Sequence, residues 1–313
     1  MNVLTTDFKK QVLAEIAKRR ANFEGPDSSF ARSIGVAISV YNRMKRGETD
    51  SLLAMPKWIQ LGREFGVELN ERKWRPARTK VFMVIEEDVN FCQNYSKSLI
   101  CVDDCGIGKT FTAKYLSKTR KNCFYVDASQ CKTKMAFIKA LAKAVGSESK
   151  GHYIDIKEYL KYTIKSMTNP VIIIDEAGDL EYAAFLELKE FWNSTEHCCG
   201  WYLMGADGLR RKIERGIENR KVGFREIFSR FSDKYTTITP RDKDERKFFY
   251  ISEIVAVLKE NGCNEAEAIQ IAKRCLTNDN TGQASGLRRA ESLMILTREE
   301  NQHESTDSAG DNS

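Results

Sequence analysis

The sequence predicts an α/β chain. A parallel five-stranded sheet with helices on both faces is preceded by an all-helical N-terminal domain and followed by a small helical C-terminal lid. Three observations carry this reading. From residue 81, short apolar runs alternate with amphipathic segments, as strands joined by crossover helices do. Before residue 70, apolar residues recur at helical spacing, and after Pro240 that spacing returns and runs to about residue 299. The 313 residues suit two or three modest domains.

In residues 1–70, Val12, Leu13, Ile16 and Ala17 form one helical stripe, and Gly25-Pro26 makes a turn with Asp27 and Ser28 available as caps. In the next stretch small Ala31 lets two helices cross closely, and Gly35 can supply the positive φ of a tight turn. Val36, Tyr41 and Met44 can pack back on the first helix, and Gly47 ends the second. This spacing resembles the helix-turn-helix of the lambda-repressor type. The second helix starts near Ala37, and Ser39, Asn42, Arg43 and Arg46 project from it. Ser39, Asn42 and Arg43 are candidate DNA contacts. Apolar Ile38 sits where base-reading helices are polar, which favours nonspecific DNA contact or a protein contact. A compact bundle with no DNA role remains open. Pro56 opens a further helix with Trp58, Ile59, Leu61 and Phe65 as its apolar set.

Residues 71–80 are charged, contain Pro76 and read as a linker. In the core, 81–240, strands are expected at 99–102, 123–126, 171–174, 200–204 and 235–238. Helices are expected at 110–119, 132–145, 153–166, 180–194 and 222–231. The lid spans 241–299, and the polar residues 300–313 are expected to be a disordered tail.

Hydrophobic content of 42% rules out wholesale disorder. No apolar run approaches the ~20 residues of a membrane span, so no membrane is expected as partner. The first residues mix Asp7, Glu15 and several basic side chains among apolar ones, which is unlike a signal peptide, so the expected compartment is the cytoplasm. An excess of 50 basic over 44 acidic residues gives a charge of +6, which permits nucleic-acid binding without requiring it. The nine cysteines form no C-x-x-C and read as reduced thiols; His197-Cys198-Cys199 reads as the start of a strand rather than a metal cluster.

Two motifs carry chemistry on their own residues. The first is DDCGIGKT at 103–110, after an apolar strand and before a helix, the setting of a phosphate-binding loop. Gly106 and Gly108 let backbone N–H groups approach phosphate oxygens, and the helix N-terminus adds partial positive charge. Lys109 can reach the β- and γ-phosphates of ATP, and Thr110 can place a hydroxyl on Mg²⁺. Asp104, Cys105, Gly106, Ile107, Gly108, Lys109, Thr110 and Phe111 are the expected nucleotide contacts. The usual pattern opens with Gly, and Asp103 stands there instead. The second motif is Asp175-Glu176, closing the apolar run 171–174 at the strand edge where ligands of parallel sheets bind. Asp175 suits Mg²⁺ held through water, and Glu176 suits activation of the attacking water.

The strand at 123–126, placed beside this one, marks an additional-strand ATPase, and the remaining motifs resemble those of AAA+ ATPases. Strand 200–204 leads to Gly205-Ala206-Asp207, near the place where such ATPases carry a polar residue sensing the γ-phosphate; Asp207 is the candidate, with a helix cap as the alternative. Ile227-Phe-Ser-Arg230-Phe resembles the segment bearing an arginine finger directed at a neighbouring subunit's nucleotide, with Arg225 as the fallback. Ser285-Gly-Leu-Arg288 resembles a second sensor at the start of a lid helix, with Arg288 chosen because Leu287 must face the lid core.

Together, the N-terminal helix-turn-helix, GIGKT, IIIDEAGDL, the LMG strand end, IFSRF and SGLRR resemble the transposition ATPases of the phage Mu B family over nearly the whole chain. The resemblance implies an ATPase that binds ATP, polymerises as a helical filament or ring on duplex DNA, and presents that DNA to a cognate transposase that stimulates hydrolysis. It places DNA-facing loops at Lys132, Thr133 and Lys134. A second basic run, Arg210-Arg211-Lys212 through Arg220-Lys221, lies in what reads as an insertion before the finger helix. Either run can instead be a solvated helix face. Two rival readings share these motifs: a helicase loader, as in the DnaC and IstB relatives, and a nucleotide-gated helix-turn-helix transcription regulator.

Overall fold

The apolar spacing of the N-terminal segment closes four helices on one centre: α1 (Thr6–Ala21), α2 (Asp27–Ser33), α3 (Ile38–Lys45) and α4 (Met55–Phe65). Val12, Ile16, Phe30, Tyr41, Trp58 and Leu61 form that centre. The turn between α2 and α3 is made at Gly35, whose φ of +65° suits glycine. The structure is a computed structural model and describes residues 6–67, 74–149, 151–276 and 286–310, with side chains to residue 298.

The following elements are α5 (Lys80–Tyr95), β1 (Ser98–Val102), α6 (Lys109–Thr119), β2 (Cys123–Asp127), α7 (Lys134–Val145), α8 (Tyr153–Lys165), β3 (Val171–Asp175), α9 (Tyr182–Ser194) and β4 (Gly200–Gly205). After these come α10 (Asp207–Glu218), α11 (Phe224–Arg230), β5 (Tyr235–Thr236), α12 (Lys243–Glu260), α13 (Glu265–Leu276) and α14 (Leu287–Gly310). The five strands form one sheet in the order β2-β3-β4-β1-β5. β2 pairs in parallel with β3, Asp127 opposite Asp175, and β3 with β4, Ile174 opposite Leu203. Every residue of β3 and β4 is buried, as strands covered on both faces must be. Each buried Ile or Val of β3 contributes about 1.5–3 kcal/mol. The 123–127 strand lies beside β3 as expected; the strand inserted between β1 and β3 is β4.

The chain divides into two compact units. The first joins Met1–Lys73, Asp88–Cys101 and Ala113–Tyr235. Within it, the helical N-terminal segment is fastened to the sheet layer by Glu24, which accepts hydrogen bonds from Thr168 N at 2.7 Å, Thr168 Oγ1 at 2.9 Å and Asn122 Nδ2 at 3.1 Å. The backbone N–H of Thr168 is the main reason the Glu24 carboxyl titrates below its ordinary range. Arg19 donates to the carbonyl of Ala144, and Lys143 pairs with Glu64 at 3.2 Å.

The second unit joins Trp74–Glu87, Val102–Thr112 and Thr236–Ser313. Ile254, Leu258, Ile271, Leu293 and Met294 centre its three C-terminal helices. These boundaries differ from the expected 81–240 core and 241–299 lid, because the phosphate loop and the segment before α5 group with the C-terminal helices. Of the expected linker, 71–73 lie outside the described residues. The rest is not a free tether: Trp74 Nε1 donates to Glu291 at 2.7 Å, and Arg75 N donates to Asn261 Oδ1 at 2.7 Å. Lys80 already begins α5, whose first turn is capped by Glu253, accepting from Lys80 N at 2.7 Å and Val81 N at 3.2 Å.

Three further differences have local causes. β5 stops at Thr236, short of the expected 238, because the carboxylate of Asp103 takes the N–H groups of Ile238 and Thr239. Residues 207–218, in what reads as an insertion, form a helix absent from the expected set, since Leu209, Ile213 and Gly216 recur on one buried face. The expected disordered tail is helical as far as Gly310, with no Pro or Gly before that residue to stop α14; 311–313 lie outside the described residues.

Candidate functional site

The phosphate loop leaves β1 and ends in the first turn of α6. Gly106 and Gly108 have φ of +76° and +102°, which only glycine adopts without strain. Lys109 opens α6 and is buried; its amine donates to the carbonyls of Asp103 at 2.9 Å and Asp104 at 2.6 Å. Two of its three protons are thereby used, and the third remains for a phosphate oxygen. Thr110 is half-buried, Ile107 is buried, and Cys105 and Phe111 are exposed. A loop with two left-handed glycines and a lysine at a helix N-terminus fits a polyphosphate.

Three contacts from the same unit close on this loop. Asp103 accepts from Ile238 N and from Thr239 N, the latter at 2.9 Å, and is buried. Asp104 is ion-paired with Arg246 and accepts from Tyr250 Oη at 2.7 Å. Burial, and then the Asp104 carboxylate, push the Tyr250 hydroxyl up. Leu287 N donates to Gly106 O at 2.9 Å, and a Cβ on Gly286 would lie 2.5 Å from that carbonyl oxygen, so this approach requires glycine. Ser285 of the expected sensor motif lies outside the described residues.

The carboxyl edge of β3 holds the second group. Asp175 is buried and accepts from Tyr125 Oη at 3.0 Å and from Glu176 N at 3.0 Å. Burial first, and then Asp175, push Tyr125 well above its ordinary range, so it stays a neutral donor. Glu176 has φ of +48°, a left-handed conformation uncommon in non-glycine residues and concentrated at functional sites.

The three sensor and finger residues are placed as follows. Asp207 is the first residue of α10, exposed, and pairs with Arg211 at 3.4 Å. Arg230 ends α11 with its guanidinium 5.2 Å from the centre of the Trp192 ring. Leu287 packs on the core of the C-terminal helices, and Arg288 is exposed.

The proposed DNA contacts are more engaged than the sequence suggests. Lys132 pairs with Asp179 at 2.9 Å, Thr133 caps α7, and Lys134 pairs with Glu187 at 3.0 Å. Arg210 lies over the Tyr235 ring. Lys212 donates to the carbonyls of Gly178 and Leu180, and burial lowers its pKa despite Asp179 and Glu181. It is a tether between segments rather than a cation displayed to solvent. Ser39 and Asn42 are exposed on α3, but Arg43 pairs with Glu48 at 2.6 Å.

Sequence reasoning missed Tyr125, Arg246 and Tyr250. Tyr125 had a signal, since it lies in the strand placed beside 171–174. Arg246 and Tyr250 had none, because their partner is 142 and 146 residues away.

Residues 93–213 match the family described as "AAA domain". Among solved structures, the Holliday junction branch migration motor RuvB of Thermotoga maritima is similar at 13% identity, covering 69% of this chain and 68% of that one, with a TM-score of 0.30. No curated protein matches the chain. The sheet order, the glycine-lysine loop after β1 and the family match define an AAA+ P-loop ATPase fold.

Proposed function

We propose that this protein is an ATP-dependent, sequence-tolerant DNA-binding ATPase that assembles on duplex DNA and delivers it as target to a transposase, resembling the Mu B family. The observation that carries the ATPase reading is the placement of the two motifs. The GIGKT loop follows β1, and Asp175-Glu176 close β3, two strands away in one sheet. The target-delivery reading is supported by the order of motifs along the chain and by the N-terminal helices. Among the described residues no helix is long and apolar enough to cross a membrane.

The residues divide the work. Backbone N–H groups of 106–110 and the Lys109 amine bind and orient the β- and γ-phosphates. Thr110 and Asp175 are the residues that would hold Mg²⁺, which when bound neutralises charge on those phosphate oxygens. Tyr125 fixes the Asp175 carboxylate. Glu176 accepts a proton from the attacking water. Arg230 has no ion-pair partner among the described residues, and its planar cation would act on the triphosphate of an adjacent copy.

Glu176→Gln tests this reading. The variant should retain ATP, lose hydrolysis, and remain on duplex DNA after ATP is added. A variant that hydrolyses ATP normally removes Glu176 from its role; one that binds DNA no better with ATP than without breaks the coupling.

A further inference from the structure

Between α9, α10 and the turn before α11 lies a cleft of about 320 Å³ with no carboxylate in its lining. Arg211, Lys212, Arg215 and Lys221 line it, together with the rings of Tyr182 and Phe224. We infer that this cleft binds the phosphate backbone of DNA, with Arg215 and Lys221 as its principal contacts. The inference rests on the DNA-binding reading above and deepens it by locating the contact.

Four observations carry it. First, the cations are not equivalent. Lys212 is spent on two backbone carbonyls, and Arg211 pairs with Asp207. Among the described residues Arg215 is exposed and makes no ion pair, and exposed Lys221 lies 5.9 Å from the Tyr182 ring and makes none either. Second, Arg211 and Arg215 lie one turn apart on α10, about 6 Å from each other, and Asn219 at its C-cap continues the spacing. A Cβ on Gly208 would meet nothing within 4 Å, so the start of that helix is open to a bulky chain.

Third, the aromatic wall is held rigid. Tyr182 stacks on Phe224 with 5.8 Å between centroids and 8° between planes, Phe224 stacks on Phe185, and Tyr182 Oη donates to Val222 O at 2.9 Å. Lys221 is thereby supported from below while its charge stays outside. Fourth, both basic stretches hold the one connection that leads into the cleft wall at Tyr182. Lys132 pairs with Asp179, and its carbonyl accepts from Glu181 N at 2.8 Å, while Lys212 holds the carbonyls of Gly178 and Leu180. The 178–181 connection therefore contacts both Lys132 and Lys212, and Tyr182, which follows it, lines the cleft. A cleft lined by cations, with no carboxylate in the lining, suits phosphodiesters.

The test is binding of the full-length protein to fluorescent duplexes of about 30 base pairs and several sequences, with a non-hydrolysable ATP analogue, across a salt series. The pair Arg215→Gln, Lys221→Gln should weaken binding to every duplex by the same factor, roughly tenfold near 0.15 M salt, and reduce the salt slope by about 2. The charge-retaining pair Arg215→Lys, Lys221→Arg should restore both. Exposed Lys243→Gln with Lys247→Gln, on α12, should change neither. ATP turnover without DNA should be unchanged in all three. Equal affinity and slope for the neutralised pair and wild type overturn the inference while leaving the DNA reading intact; a loss confined to one duplex sequence also overturns it. A wild type that binds no duplex overturns the DNA reading itself, and this inference with it.

Discussion

Asp104, inside the phosphate loop, is ion-paired with Arg246 of α12. A carboxylate in that loop would repel a triphosphate, and the guanidinium, with Tyr250, neutralises it. Arg246→Ala should therefore weaken ATP binding by about tenfold, on the order of 1 kcal/mol for a lost charge-assisted bond. Adding Asp104→Asn should recover most of the loss. Titration with a fluorescent ATP analogue checks this; additive effects of the two changes would show that the residues act independently.

Asp103 departs from the glycine usual at its position, and restoring that glycine should harm the fold. Its buried carboxylate satisfies the N–H groups of Ile238 and Thr239. Asp103→Gly leaves both without that partner and should cost about 1–3 kcal/mol. Urea unfolding followed by circular dichroism measures the change; an equal or higher midpoint would refute it.

Tyr125→Phe removes one hydroxyl from a carboxylate buried in β3. The Mg²⁺ concentration for half-maximal ATP turnover should rise about tenfold, consistent with a lost bond to a charged group. Binding of ATP without metal should be unchanged. A fall in turnover that no concentration of Mg²⁺ recovers would assign Tyr125 another role.

Glu187 links acid sensitivity to the α7–α8–α9 layer. Burial pushes its carboxyl up, but hydrogen bonds from Lys157, Tyr153 and Lys134, and the charge of Lys157, outweigh burial and hold its pKa below the ordinary value. A carboxyl with a lowered folded-state pKa contributes stability above its unfolded value, near 4.3, and loses it as pH falls toward the folded one. The midpoint of thermal unfolding should drop below pH of about 4.5, and Glu187→Gln should flatten that dependence. An unchanged pH profile in the variant would exclude Glu187 as a contributor.

The sheet was legible because parallel strands buried on both faces read as unbroken apolar runs, and β3 ends where its run meets Asp175. The carboxyl ends of β1 and β3 then located GIGKT and Asp175-Glu176. α5 was not legible as a helix: Val81, Phe82 and Ile85 are all buried, so the run 81–85 has no polar face to reveal its period. α10 was hidden by its charges, which masked the stripe of Leu209, Ile213 and Gly216. The loop's own environment was invisible, since Asp103 finds Ile238 135 positions away, a pairing that no local pattern encodes.

The most direct measurement is electron microscopy of the protein with long duplex DNA, with and without a non-hydrolysable ATP analogue, for wild type and Arg230→Ala. Regular assemblies on DNA that need both nucleotide and Arg230 are the predicted result. Wild-type particles that remain single in the presence of both ligands would contradict the account.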